Sequence, residues 1–121
     1  MQRFFFAAAS LAAFLGVALG AFAAHGLKSR LTPDMLDIFE TGVRYQMYHA
    51  FGLFVVAWAS SRWPDSNFNA AGWSFIIGIL IFSGSLYLLS LTGVRWLGAI
   101  TPAGGIAFLI GWAILIWTAG R

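Results

Sequence analysis

The chain has 121 residues, 60% of them hydrophobic and 9% charged, with a mean hydropathy of +0.83, which lies outside the range of water-soluble domains. Seven Lys and Arg against four Asp and Glu leave a net charge of +3, but these charges are scattered, so no basic surface for nucleic acid forms. Cysteine is absent, which excludes disulfides, thiolate metal ligands and thiol nucleophiles.

What remains is a small integral membrane protein. A helix needs about 20 mostly apolar residues to cross the hydrocarbon layer, because lipid offers no partner to a free backbone N–H or C=O. Four stretches meet that need, at residues 4–24, 45–61, 72–91 and 97–119. The first follows Arg3 and ends near Ala21-Phe22-Ala23, a small-x-small pattern that resembles a signal-peptide cleavage site. Its apolar run exceeds that of a signal core, so a retained helix is expected.

Thr32-Pro33-Asp34 reads as the N-cap, N1 and N2 of the next helix: a hydroxyl acceptor, a preset φ and an anion at the positive end. From there Leu31, Met35, Ile38, Phe39, Gly42, Gln46 and His49 follow helical spacing on one stripe, and Asp37, Glu40, Arg44 and Tyr48 follow it on another. The second helix is thus expected to start near residue 33 with an amphipathic extension and to continue into the membrane. Glu40 and Arg44 are placed to support it at i,i+4.

Residues 62–67, Arg-Trp-Pro-Asp-Ser-Asn, form a polar, proline-broken turn between antiparallel helices. After the third span, Thr92-Gly93-Val94-Arg95 offers a glycine stop. Thr101-Pro102 then either kinks the last helix or starts it. The fold class is all-α: a four-helix membrane bundle in one domain.

With four spans, the first and third connections share one side of the membrane, called side one. Both termini and the second connection share side two. Counting from the spans puts His25, Gln46 and His49 at one depth near side one, with Ser83, Ser85, Tyr87, Ser90 and Thr101 in the same leaflet. Trp58, Trp63, Trp73, Trp112 and Trp117 fall on the side-two half, where indole rings favour the headgroup boundary. Polar groups in hydrocarbon must pair. The expected result is a polar pocket opening to side one, with His25, Arg44, Tyr45, Gln46, His49, Ser83, Ser85, Tyr87 and Thr101 as candidate ligand-binding residues. The plainer outcome is interhelical hydrogen bonding alone. Gly16, Gly20, Gly42, Gly84, Gly104, Gly105 and Gly111 are the expected close-packing positions.

Chemistry is thinly signalled. His25 and His49 could share a metal with Glu40 or Asp37, but they stand 24 residues apart without a local ligand pair, so no metal or other cofactor is expected. Ser83 or Ser85 lacks a nucleophile elbow, so no catalytic residue is assigned. Side two offers too little polar lining for one bundle to conduct along its axis.

Four motifs occur in order: Gly20-Ala21-Phe22-Ala23-Ala24-His25-Gly26-Leu27, Thr41-Gly42-Val43-Arg44-Tyr45-Gln46-Met47-Tyr48-His49, Phe82-Ser83-Gly84-Ser85-Leu86-Tyr87, and Thr101-Pro102-Ala103-Gly104-Gly105. With them the chain resembles the domain-of-unknown-function 423 family of small four-span membrane proteins, which includes bacterial inner-membrane members and the animal transmembrane protein 256. Ala23 stands where that family's pattern usually has Gly. The resemblance implies a four-span fold and a bacterial inner-membrane location, and it carries no established activity. By analogy with relatives that have basic tails, both termini are expected in the cytoplasm.

The leading expectation is a small-solute or lipid-headgroup binding or transport component. The alternative is a non-catalytic accessory or scaffold subunit, and a membrane enzyme is third. Membrane lipids and either further copies or a membrane-complex partner are the expected partners.

Overall fold

The computed structural model describes residues 1–121. Four helical rods run antiparallel. The first is α1, Gln2–Phe22, prolonged by a π turn over Ala23–Leu27. The second is α2, Pro33–Arg62. The third comprises α3, Asn69–Gly78, a π turn over Ile79–Ser83 and α4, Gly84–Thr92. A 3₁₀ turn, Arg95–Ala99, leads into α5, Thr101–Ala119.

The first, third and fourth rods are each long and apolar enough to cross a membrane. The second runs between the same two ends, yet its composition is less apolar. The cause is packing. It is the inner helix, and its buried face carries Gln46 and His49 where the outer helices carry aliphatic residues.

The ends of the helices follow local chemistry. Thr32 Oγ1 accepts the Met35 N–H at 3.2 Å, and Pro33, which has no N–H to leave unpaired, begins α2. Gly93, at φ +73°, closes α4 by donating its N–H to Leu89 O at 2.7 Å, a backbone turn that a side chain would strain. Pro102 lies in the first turn of α5, so it starts this helix and does not kink it.

Packing proceeds in two pairs. α1 rests on α2 through a stripe of small residues. A Cβ at Gly16 would strike the Met47 side chain, and one at Gly20 would stand 3.4 Å from Val43. The G-x-x-x-G of α1 is therefore a face within the chain. α5 rests on the third rod in the same way: a Cβ at Gly104 would collide with the backbone of Phe82, and one at Gly111 with the Phe75 ring. Gly42 makes room for the Tyr87 ring in like manner. The two pairs meet where α2 lies against the third rod.

Two of the expected packing glycines behave otherwise. A Cβ at Gly105 would meet Phe82 only at ordinary contact distance, and one at Gly84 would meet nothing within 4 Å. Gly84 is thus corrected: its neighbours do not approach it. Gly52, Gly72 and Gly78, which the spacing did not single out, do lie under close aromatic contacts, from Phe75, Phe5 and Phe108.

The main core occupies the side-two half, where Phe5, Leu53, Val56, Phe68 and Phe75 are fully buried among alanines. A smaller cluster of Ala23, Leu27 and Phe39 closes side one. Met1 faces the Pro64–Asn67 turn, and Arg121 faces that same turn, so both termini and the second connection share one end.

Candidate functional site

Five side-chain hydrogen bonds join different rods. Gln46 Nε2 donates to Ala12 O at 2.8 Å, and the Tyr87 hydroxyl donates to Gln46 Oε1 at 2.6 Å. The Ser83 hydroxyl donates to Gly42 O at 2.7 Å, and Ser85 Oγ and Thr101 Oγ1 are 2.6 Å apart. Trp112 Nε1 donates to His49 Nε2 at 3.0 Å.

Helical geometry explains why these residues meet. Gly42, Gln46 and His49 recur at spacings of four and three, so they share the buried face of α2. The π turn over Ile79–Ser83 precedes Tyr87 by one helical turn, and it sets Ser83 against Gly42 and Tyr87 against Gln46. Small residues on the partner helices bring backbone carbonyls within reach: Ala12 on α1 and Gly42 on α2 both serve as acceptors.

His49 is held on three sides. Its ring lies parallel to Phe108 at 3.5 Å between centroids, with an interplanar angle of 6°. An indole N–H can only donate. Nε2 therefore accepts from Trp112, and Nδ1 carries the hydrogen that it donates to Tyr45 O at 2.8 Å. One neutral tautomer satisfies both bonds.

The remaining candidates lie apart. His25 is exposed on the first rod and its Nδ1 bonds Ala21 O at 2.9 Å. Arg44 is exposed and donates to Thr41 Oγ1 at 3.0 Å, where the i,i+4 spacing suggested Glu40. Tyr45 is 38% exposed and packs its ring against Phe82. Structurally, then, the nine residues divide into a bonded set of Gln46, His49, Ser83, Ser85, Tyr87 and Thr101 and a peripheral set of His25, Arg44 and Tyr45.

The depths also need correction. Gln46 bonds Ala12, and Phe6 packs on Phe54 at 5.1 Å. α2 is therefore level with α1 along its whole length, and Gln46 and His49 sit near the middle of the bundle. His25 lies 13 residues beyond Ala12 on the same rod, about 20 Å along the axis at 1.5 Å per residue. The expectation of a common depth took residue 45 as the membrane entry. In the fold, α2 starts a full three turns earlier alongside α1.

Nor is the side-two half free of hydroxyls. Ser10 and Ser74 lie there and bond their own helices at Phe6 O and Ala70 O, while the Ser60 hydroxyl is buried without a partner. What is lopsided is the bonding between rods, which extends from the bundle middle to side one. Trp112 is the residue that the sequence reading misplaced: an indole among five tryptophans looked like part of an interfacial belt, and nothing in spacing alone marks it as the partner of His49. The other four do gather at end two. Trp58 meets Trp63 edge to face, Trp73 lies against Phe4 and Phe5, and Arg121 covers Trp117.

No three His, Asp or Glu side chains converge, and Ser83 and His49 direct their polar atoms to different partners. The geometry fastens helices to one another.

Most of this arrangement, though not Ala12, Phe108 or Trp112, lies inside the segment that matches a known family model, described as "Protein of unknown function (DUF423)", over residues 19–105. The chain belongs to that family. Among its relatives is the UPF0382 membrane protein YwdK of Bacillus subtilis (strain 168), 46% identical over 119 residues that cover 98% of this chain and 97% of the relative. The UPF0382 membrane protein SERP0230 of Staphylococcus epidermidis is 47% identical over 115 residues, covering 95% and 93%. SH2409 of Staphylococcus haemolyticus, also named a UPF0382 membrane protein, is 44% identical over the same shares. No solved structure matches. Family membership and the apolar rods together make this a helical membrane protein of uncharacterised function.

Proposed function

We propose that the chain is a non-catalytic accessory or scaffold component of the bacterial inner membrane, with both termini in the cytoplasm. One observation carries this reading: the polar side chains inside the bundle bond one another and the backbone across rods. A pocket for a polar solute or headgroup needs several unused donors and acceptors around one shared volume. Here Gln46, Tyr87, Ser83, Ser85, Thr101 and His49 direct their polar atoms at protein. Such a molecule works through its outer faces and its ends.

The experiment is extraction from native membranes at native expression level, with crosslinking, followed by native mass spectrometry. A defined assembly with further copies or with another membrane protein supports the reading, and a lone chain at every extraction condition overturns it. The orientation is tested separately. Because the chain has no cysteine, Ser29→Cys and Thr118→Cys give background-free labelling by an impermeant maleimide in intact cells. Labelling is expected at position 29 alone, and the reverse pattern refutes cytoplasmic termini.

A further inference from the structure

We propose that the outward face of α2 is an interface whose occupant is a second copy of this chain, inserted in the same orientation. The inference rests on the scaffold reading and names its partner. It starts from a stripe of side chains. The other sides of α2 meet α1, the third rod and α5. Opposite the face that carries Gln46, the residues Asp37, Thr41, Arg44 and Tyr48 recur at alternating steps of four and three, and Phe51, Val55 and Trp58 continue the series. Those steps keep all of them on one side of the helix, with the period of 3.5 residues that marks a coiled-coil seam. Asp37 and Arg44 are exposed, Glu40 beside them is half-buried, and Tyr48 is 55% exposed.

Depth makes this stripe unusual. Gly20 of α1 faces Val43, so Arg44 is level with Gly20 to within a residue. Gly20 precedes Lys28 by eight residues, about 12 Å of helix. Arg3 and Lys28 are 25 residues apart, about 38 Å, of which the hydrocarbon layer takes about 30 Å. The Arg44 backbone is therefore inside that layer. Its guanidinium turns toward side one and donates to Thr41 Oγ1 at 3.0 Å, which still lies about 8 Å short of the level of Lys28. The outward faces of the other rods carry hydrocarbon instead, as at Phe14 and Val17 on α1 and Ile106 and Leu109 on α5. Ionisable side chains within spanning helices face protein or water and pair with one another, so acyl chains are the wrong neighbour for this stripe.

Its charges select the occupant. An anionic headgroup would suit Arg44 but would meet Asp37 and Glu40 on the same face. A second copy suits all three. A two-fold axis along the membrane normal sets identical residues at equal depth, and an isologous contact repeats each pairing in reverse. Arg44 of one copy then needs to climb one helical turn to reach Glu40 of the other, about 6 Å along the axis, and a guanidinium on its long stem spans that step and pairs with a carboxylate. Two such ion pairs form, and each copy covers the other's aromatic run below them.

The test captures whatever covers the stripe. Tyr48→p-benzoylphenylalanine and, as a control, Leu109→p-benzoylphenylalanine are photolysed in native membranes at native expression level, and adducts are read by gel and mass spectrometry. A covalent dimer is expected from position 48 and none from position 109. Charge reversal then asks whether the face recognises itself. In the position-48 background, Glu40→Arg makes the centre of the stripe basic and Arg44→Glu makes it acidic, and each variant alone is expected to lose the dimer. Made together in one cell with different tags, the two are expected to regain it as a mixed dimer. If either reversed variant fails to accumulate, the comparison of positions 48 and 109 decides. A dimer formed through position 109 in place of 48, or a different membrane protein captured at 48, overturns this interface and leaves the scaffold reading standing. Lipid adducts alone at position 48, a dimer that survives each single reversal, or no mixed dimer from two variants that both accumulate also overturns it.

Discussion

Gln46 makes two bonds to two different rods, one to the Ala12 carbonyl and one from the Tyr87 hydroxyl. Its loss removes one bond between α1 and α2 and one between the third rod and α2 at once. Interhelical hydrogen bonds in membranes contribute about 0.6 kcal/mol on average and up to about 1.7, so Gln46→Ala with Tyr87→Phe should give a coupling energy of about 1 kcal/mol in a double-mutant cycle followed by unfolding in mixed micelles. A coupling of zero would mean that the two groups do not bond in lipid. His49 offers a sharper contrast. His49→Phe keeps the stack on Phe108 and loses the bond from Trp112 and the bond to Tyr45 O, which predicts a loss of about 1 to 2 kcal/mol. His49→Ala also removes the ring and leaves a void, a change expected to cost about 2 to 4 kcal/mol. Equal effects of the two substitutions would show that ring packing contributes nothing. The buried stripe that carries Gly42, Gln46 and His49 is legible in the sequence, because helical spacing fixes which residues share a face. Their partners are not legible: Ala12 and Gly42 contribute carbonyls that every residue possesses, and no side-chain pattern can mark them.

At the scale of the element, the glycines divide by what stands over them. Gly104→Ala places a methyl against the backbone of Phe82, which cannot step aside as a flexible side chain can. A destabilisation of about 1 to 3 kcal/mol is expected, as for overpacking in a close-packed core. Gly105→Ala, one residue on, meets Phe82 only at 3.9 Å and should be neutral or slightly stabilising, since alanine is the better helix former by about 1 kcal/mol. Thermal unfolding of both variants in one detergent checks the pair, and matching shifts would contradict the packing described above. Thr32→Ala removes the acceptor for the Met35 N–H. It should cost about 1 kcal/mol and raise hydrogen exchange in the first turn of α2 while leaving its membrane half protected. The rods themselves were readable from uncharged length, and the start of α2 from Thr32-Pro33-Asp34. The depth of α2 was not. Hydropathy reports the lipid boundary only for helices that lipid touches, and this helix is wrapped by its neighbours.

For the whole molecule, directional bonds lie from the middle to side one, and aromatic packing dominates the other half. Four tryptophans gather at end two, while Trp112 points inward to His49. A variant retaining Trp112 alone should be quenched by phospholipids brominated near the chain terminus and be insensitive to aqueous iodide, with the opposite behaviour expected for one retaining Trp63 alone. Strong iodide quenching of Trp112 would place it at the headgroups after all. The pairing of α1 with α2 and of the third rod with α5 has one more consequence. Each couple is contiguous in the chain, so each hairpin can close as soon as it leaves the translocon, before the other exists. Only the faces of α1 and α2 against the third rod and α5 must then be found by search, and the turn near Pro64 does no more than tether the halves. A gene severed there, with both pieces made in the same cell, is expected to rebuild the complete bundle from two polypeptides.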